Sequence, residues 1–237
     1  LIRQSMGDAR KLYNLVELCF QQGQRGVPID EEFAQNVLSN AQIRYDKGGE
    51  EHYNVISAFI KSIRGSDPQA AVYYLARMIE GGEDVKFIAR RLIISAAEDV
   101  GLANPNALML ANETFSAVER VGWPESRIIL SQCTIYLATS PKSNSAYTAI
   151  GKAQKLVQQT GNLEVPDHLK NASSALAKDL GHGKNYLYPH DHPGGFVPQE
   201  YLPKEIQGSV LWSPASNGKE QQISAQQKSM WKDKYEG

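Results

Sequence analysis

Apolar positions recur at helical spacing from one end of this chain to the other, and no sustained alternation of apolar and polar residues marks a strand. The first stripe, Ala9, Leu12, Val16, Cys19 and Phe20, predicts an amphipathic helix with Asp8 placed to cap it. A polar loop over 21–26 and a short extended piece at Val27-Pro28-Ile29 follow. Asp30 then caps a second helix reaching about Leu38, with Glu31 and Glu32 in its first turn, where carboxylates suit the helix dipole. Residues 1–40 make a small helical subdomain on this reading, and 41–49, ending in Asp46-Lys47-Gly48-Gly49, make a hinge. The larger part, 41–237, is a second helical domain, which makes the chain all-α.

Its first helix starts near Glu50, turns Ile56, Phe59, Ile60 and Ile63 to one face, and stops at Arg64-Gly65. Prolines then punctuate the chain at Asp67-Pro68, Asn104-Pro105, Trp123-Pro124 and Ser140-Pro141, each where a helix could begin. Gly81-Gly82, Gly101, Gly122 and Gly161 mark exits. The predicted helices run over 68–80, 84–100, 105–121, 124–139, 144–160 and 167–180. Their spacing is too irregular for a solenoid and fits a bundle of antiparallel helices. Helix 84–100 has one stripe through Val85, Ile88, Ala89, Leu92, Ala96 and Val100. Helix 105–121 is apolar nearly all round, which places it centrally or under another subunit. Alanine-rich stripes such as Ala146, Ala149, Ile150 and Ala153 permit close helix approach. Pattern alone fits a monomer core and an oligomer interface equally.

Periodicity ends at Gly181. From there to Trp212 the chain carries Pro189, Pro193, Pro198 and Pro203 among the aromatics Tyr186, Tyr188, Phe196, Tyr201 and Trp212. Such aromatic content predicts an ordered irregular arm, its rings filling grooves on the helices. From Asn217 the polar, Gln-rich tail reads as one helix carrying Ile223, Met230 and Trp231.

Composition narrows the function classes. Length 237, 41% hydrophobic and 22% charged residues describe an ordinary globular chain of one or two domains. A net charge of −1 gives no global pull toward nucleic acid, so any DNA contact needs a local patch or other parts of a longer protein. No apolar run is long enough to span a membrane, and no signal peptide opens the chain. Cys19 and Cys133 lie within apolar helical patterns, as reduced buried thiols of a cytoplasmic protein would. His182, His190 and His192 with Asp191 contain metal-ligating types but lack the spacing of a zinc site. Neither cysteine has a histidine nearby, and no Gly-x-Ser-x-Gly elbow exists. The Gly-Lys pairs at 183–184 and 218–219 lack the rest of a phosphate loop. Lys61 with Arg64, and Lys86 with Arg90 and Arg91, are basic clusters that suit either phosphate contact or a solvated face.

One local conflict points to a ligand. Arg10 and Lys11 fall in the first turn of the first helix, the electrostatically worse end for a cation by about 0.3–1 kcal/mol each. An anion there would offset that cost, since helix starts bind phosphate. Gly7-Asp8-Ala9-Arg10 resembles the sensor-2 stretch of AAA+ ATPases, where a lid-helix arginine touches the terminal phosphate of ATP. Further segments extend the likeness: Tyr45-Asp46-Lys47-Gly48-Gly49-Glu50-Glu51-His52-Tyr53, the run from Ser57 to Pro68, Ala89-Arg90-Arg91-Leu92, Ser95 to Gly101, and Tyr188 to Gly195. Together they resemble the replication-associated recombination AAA+ ATPases, also called maintenance-of-genome-stability or Werner-helicase-interacting-protein-like proteins, over almost the whole chain. The tail after Trp212 fits more loosely.

The resemblance implies a partial AAA+ lid over 1–40 and, over 41–237, a helical domain like a clamp-loader collar that assembles subunits into a homotetramer. It implies a whole protein that binds ATP and Mg2+, responds to DNA ends and gaps, works beside single-strand-binding protein at stalled forks, and is cytoplasmic and nucleoid-associated. Arg10 is the one nucleotide-contact residue it carries over. No catalytic residue, metal ligand or DNA-contacting residue follows. The phosphate loop, Mg-binding acidic motif, sensor 1 and arginine finger are missing from this sequence, and there is no initiator methionine. The expected reading is a non-catalytic C-terminal fragment that holds no cofactor of its own and serves self-assembly. The alternatives are a helical scaffold for partners such as single-strand-binding protein and a histidine-dependent metalloenzyme.

Overall fold

A computed structural model describes residues 9–23, 27–42 and 50–235. Asp8, expected as a cap, and most of the expected hinge, 43–49, lie outside the described residues. Every regular element among the described residues is helical. They fall into two compact units, one of residues 1–95 with 109–139 and one of 96–108 with 140–237.

In the first unit α1 (Ala9–Gln22) packs on α2 (Glu31–Gln42), burying Cys19 and Val37. Asp30 caps α2 as its position predicts, its Oδ1 accepting the Phe33 N–H at 2.8 Å. α2 runs to Gln42, past the expected end near Leu38. α3 (Glu50–Arg64) buries Val55, Ile56, Phe59 and Ile63, while Ile60 is only half-buried.

Its exit is a Schellman turn: Asp67 N–H donates to Ser62 O at 3.0 Å and Ser66 N–H to Ile63 O at 3.1 Å. Ser66, at φ 61°, takes the left-handed position that the neighbouring Gly65 would fill at less cost. Asp67 then caps α4 (Pro68–Glu80) by accepting from Gln69 N and Ala70 N, each at 3.0 Å. Proline at the first helical position gives up no hydrogen bond there.

α5 (Val85–Ser95) starts on Asp84 as expected but does not reach residue 100 as one α-helix. The chain widens to a π turn over Ala96–Val100 and tightens to a 3-10 turn over Gly101–Ala103. Gly101 explains the change of pitch. It sits at φ 49°, and a Cβ there would come within 2.6 Å of Ser143 O. The Ser143 N–H donates to Asp99 O at 2.8 Å, so the loop before the next long helix seats on this turn.

Of the two placements open to the helix expected over 105–121, central or under another subunit, α6 (Asn106–Val121) does not take the central one. Its buried positions, Ala107, Ala111, Thr114 and Val118, are small and share one face, whereas Leu108 and Met109 are 45% and 67% exposed. The helix with the larger buried face is α7 (Ser126–Thr139), which contacts α3, α4 and α5. It buries Leu130, Cys133, Thr134, Leu137 and Ala138, and leaves Ile128 and Ile135 exposed. α7 begins at Ser126, not at Pro124, after a cis Trp123–Pro124 bond. The buried Ser126 hydroxyl donates to Gly122 O at 2.6 Å, joining it to the end of α6.

The second unit is built on α8 (Ser145–Thr160), which packs against the turns at 96–103 and ends at Gly161, φ 67°. The expected helix 167–180 is broken into a 3-10 turn at Asp167–Leu169 and a short α9 (Ala175–Asp179). Between them, Ser174 turns from the helix to cap α9, accepting from Ala177 N at 3.1 Å. Irregular chain with three 3-10 turns follows as expected, then α10 (Gly218–Trp231). No described helix is long and apolar enough to cross a membrane.

Because α7 is inward on one face and outward on the other, truncating each face should read differently. Leu137→Ala is expected to cost about 2–5 kcal/mol by cavity formation, and Ile135→Ala less than about 0.5 kcal/mol, in urea unfolding of the purified chain. Equal losses at both positions would contradict the burial of α7 described above.

Candidate functional site

The second unit brings together two separated stretches, 143–145 and 212–220, around one carboxylate. Glu220, in the first turn of α10, is fully buried. It accepts from the Ser143 and Ser145 hydroxyls at the start of α8, from the Ala215 N–H at 2.8 Å and from the Asn217 amide at 3.2 Å. Ser145 Oγ in turn accepts the Trp212 indole N–H at 3.2 Å. A hydroxyl can donate once while accepting, so Trp212, Ser145 and Glu220 form a short relay. Burial alone would raise the Glu220 pKa, but the four donors together outweigh it and hold the carboxyl below its usual value. This network fastens the arm and α10 to the start of α8.

Sequence reasoning missed Glu220. The signal was present: Asn217 and Glu220 have capping-box spacing, and Asn217 Oδ1 accepts the Glu220 N–H at 3.0 Å.

Farther along α10, Trp231 gathers the arm's rings. Phe196 lies 5.1 Å and Tyr201 6.2 Å from it between ring centroids, with Tyr235 at 5.7 Å. Lys234 Nζ lies 4.3 Å over the Trp231 ring and 3.2 Å from Glu200. The expectation that the arm's rings fill grooves needs correction at Tyr186, Tyr188 and Tyr201, which stay exposed. The Tyr188 ring lies 5.2 Å from that of His190 between centroids, tilted by 56°, a partner too small to cover it.

The outer face of α8 is the clearest unpartnered apolar surface of this unit. Tyr147, Ile150 and Val157 are 58%, 57% and 58% exposed, and their spacing puts them on one side of the helix. The inward side uses Ala149, Ala153, Leu156 and Thr160, all half-buried. Ala146, counted in the alanine stripe, is exposed. In the first unit, Ile128 and Ile135 stand two turns apart on the outside of α7.

The residues weighed for chemistry are scattered. Arg10 falls in the first turn of α1, and its side chain lies outside the described residues. His182 donates its backbone N–H to Ala177 O at 3.0 Å, His190 sits in the 3-10 turn Pro189–Asp191, and His192 follows it. Among the described residues no group of three His, Cys, Asp or Glu side chains is placed to hold a metal ion. Burial pushes the Cys133 thiol up to about 11, against a hydrogen bond with Thr114, which leaves little nucleophilic thiolate near neutral pH. Lys86 pairs with Glu119 at 2.6 Å and Arg90 with Asp84 at 3.4 Å, so intramolecular acids already face two cations of the second basic cluster.

Comparison with known proteins identifies the architecture. Residues 65–231 match the MgsA AAA+ ATPase C-terminal family, and residues 1–64 match the AAA C-terminal domain family. The chain belongs to the MgsA AAA+ ATPase C-terminal family. Among relatives of this MgsA-type chain, replication-associated recombination protein A of Bacillus subtilis is 43% identical over 90% of the chain and 51% of its own length. An uncharacterised Thermotoga maritima protein is 47% identical over the whole chain and 38% of its own length. The ATPase WRNIP1 of Dictyostelium discoideum is 39% identical over 75% of the chain and 20% of its own length. The chain thus spans about half or less of the curated relatives it matches.

In this MgsA-type region, Glu220→Ala leaves two serines, Ala215 N–H and Asn217 without their shared acceptor. The expected cost is about 3 kcal/mol. Since the folded carboxyl titrates below its unfolded value of about 4.3, its stabilisation is complete above that pH and is lost as pH falls through the lower folded value. Acid titration of Trp212 emission, with Trp123 and Trp231 replaced by Phe, should show the arm releasing below about pH 4. Glu220→Gln should remove that step; a step that survives unchanged assigns it to another group.

Proposed function

We propose that this region is the assembly module of a DNA-dependent AAA+ ATPase acting in replication-fork maintenance and recombination repair, and that it holds copies of the protein together as a homotetramer. The carrying observation is the outer face of α8, where three large apolar side chains at helical spacing stand more than half exposed. A stable interface buries about 800 Å2 per partner over some 20–30 residues, so this stripe would be its apolar centre, and the names of the relatives support the biological setting. Within the whole protein, ATP and Mg2+ would be held outside this chain, which itself would neither hydrolyse nucleotide nor bind a metal. Arg10, at the start of α1, would touch the terminal phosphate there. DNA ends or gaps would be engaged through the whole protein, in the cytoplasm and at the nucleoid.

A second reading, a scaffold for replication partners such as single-strand-binding protein, draws on the exposed Tyr186, Leu187 and Tyr188 of the arm. Pull-down of single-strand-binding protein by the whole ATPase, lost on replacing these three by serine, is its test.

Sedimentation equilibrium tests the assembly reading directly. The 237-residue chain should sediment as an oligomer, and Tyr147→Ser combined with Ile150→Asp should shift it to monomer while its helical circular dichroism is kept and its thermal midpoint loses its dependence on concentration. A wild-type chain that stays monomeric at high micromolar concentration refutes the proposal.

A further inference from the structure

The run Asn217-Gly218-Lys219-Glu220, which fails as a phosphate loop, carries a chemistry that neither assembly nor nucleotide contact uses. Asn217 is followed by glycine, and no other asparagine in the chain is. That pairing leaves the amide nitrogen after asparagine unshielded by a side chain, so it can attack the neighbouring carboxamide. Two structural features give the pairing a consequence here.

The first is that the fold does not require this glycine. Gly218 opens α10 outside the left-handed region, and a Cβ placed on it would meet nothing within 4 Å. Alanine would favour the helix more. The residue is exposed, and its N–H, in the first turn of a helix, has no intrahelical acceptor. The nitrogen is therefore open to water and base.

The second is what the carboxamide holds. Asn217 Oδ1 accepts the Glu220 N–H at 3.0 Å, and its Nδ2 donates to Glu220 Oε1 at 3.2 Å. The extended ψ of 154° keeps the Gly218 nitrogen out of the plane that a five-membered ring needs. The closed cap thus delays attack, and its local opening permits it. Exchanging the amide for a carboxylate turns the donor 3.2 Å from Glu220 into a second negative oxygen facing a buried one. Like charges so placed oppose each other.

We propose that Asn217-Gly218 is a site of spontaneous modification, and that loss of its amide unfastens α10 and the arm from the start of α8. The Gly218 N–H gives its proton to base, and the nitrogen bonds to Asn217 Cγ. The Cγ–Nδ2 bond breaks and that nitrogen leaves as ammonia, closing a succinimide. Water then opens one of the two ring carbonyls. The product is aspartate or, with the main chain rerouted through the side-chain carbonyl, isoaspartate. Aspartate keeps the acceptor of the cap but adds the charge, while isoaspartate also lengthens the main chain where the helix starts. All of these groups belong to the cap of α10 in one chain, so the proposal stands or falls independently of self-assembly.

The test incubates the 237-residue chain in mildly alkaline buffer beside a free peptide of residues 214–221. Conversion is followed by peptide mass spectrometry, and isoaspartate by enzymatic methylation of its free α-carboxylate. Asn217 should convert faster than any other asparagine of the chain and more slowly than in the free peptide. Gly218→Ala should slow conversion by about tenfold or more with circular dichroism and thermal midpoint kept. Asn217→Asp, which fixes one product, should speed hydrogen exchange over 209–231 by about tenfold, whereas Asn217→Ser, an uncharged cap, should speed it less. Unchanged exchange over α7 establishes that the rest of the variant chain is folded. Asn217 converting no faster than the other asparagines over many half-lives of the peptide, or conversion indifferent to Gly218→Ala, overturns the proposal. Exchange in Asn217→Asp that is no faster than in Asn217→Ser overturns it as well.

Discussion

A carboxylate without solvent must have its charge balanced by donors, and in the second unit that requirement organises the polypeptide around Glu220. Two of its donors belong to the loop and first residue of α8, one to the chain entering α10 and one to the cap of α10 itself. The Trp231 ring cluster supplies apolar contacts at the far end of α10, while the fastening around Glu220 is polar. α10 is polar along most of its length, and the arm before it has no long helix. Hydrogen bonds to one buried charge therefore fix what hydrophobic burial does not. The start of the α8 stripe takes its position from this fastening.

The first unit is held by a different means. Its four helices α3, α4, α5 and α7 interlock through branched and aromatic side chains: Phe59 and Ile63 from α3, Leu75 and Met78 from α4, Ile88 and Leu92 from α5, Leu130 and Leu137 from α7. Periodicity makes most of this legible. The Ile56, Phe59 and Ile63 stripe, the Asp67-Pro68 start and the Gly81-Gly82 exit are all local features, written where they act. The confusion between α6 and α7 has a physical cause. Both are rich in apolar residues, but α6 packs by its small side chains and exposes large ones, whereas α7 buries Ser126 and Thr134 together with its leucines. Counting apolar residues weights size; a close helix contact selects against it.

The candidate surfaces were legible to different degrees for the same reason. An exposed stripe on α8 is a matter of spacing, yet the pattern grouped Ile150 with Ala149 and Ala153, which face inward, and left out Tyr147 and Val157, because nothing local says which side of a mixed helix faces inward. Glu220 was hidden more deeply. Two of its partners lie more than seventy positions upstream, and sequence pattern reports only neighbours. The break of the expected helix 167–180 belongs here too: Ser174 prefers to cap α9 from outside it, and the Asp167 carbonyl accepts the Gly183 N–H at 2.8 Å, a closure no periodicity encodes.

The remaining question is why a chain of this family would keep so much apolar surface exposed on helices that it buries well elsewhere. Scattered exposed leucines call for no explanation, since folded proteins leave much apolar area in water. A row on one helix face is different, because polar residues there would cost the isolated chain nothing. On α8 the same face carries Gln154 between Ile150 and Val157, so the exposed row is interrupted yet still spans three turns. Its inward face is held by alanines and Leu156, which need little volume, so the large residues were not forced outward by crowding. A face that is free to be polar and is not supports the proposed assembly, in which a neighbouring subunit of the same protein would cover it.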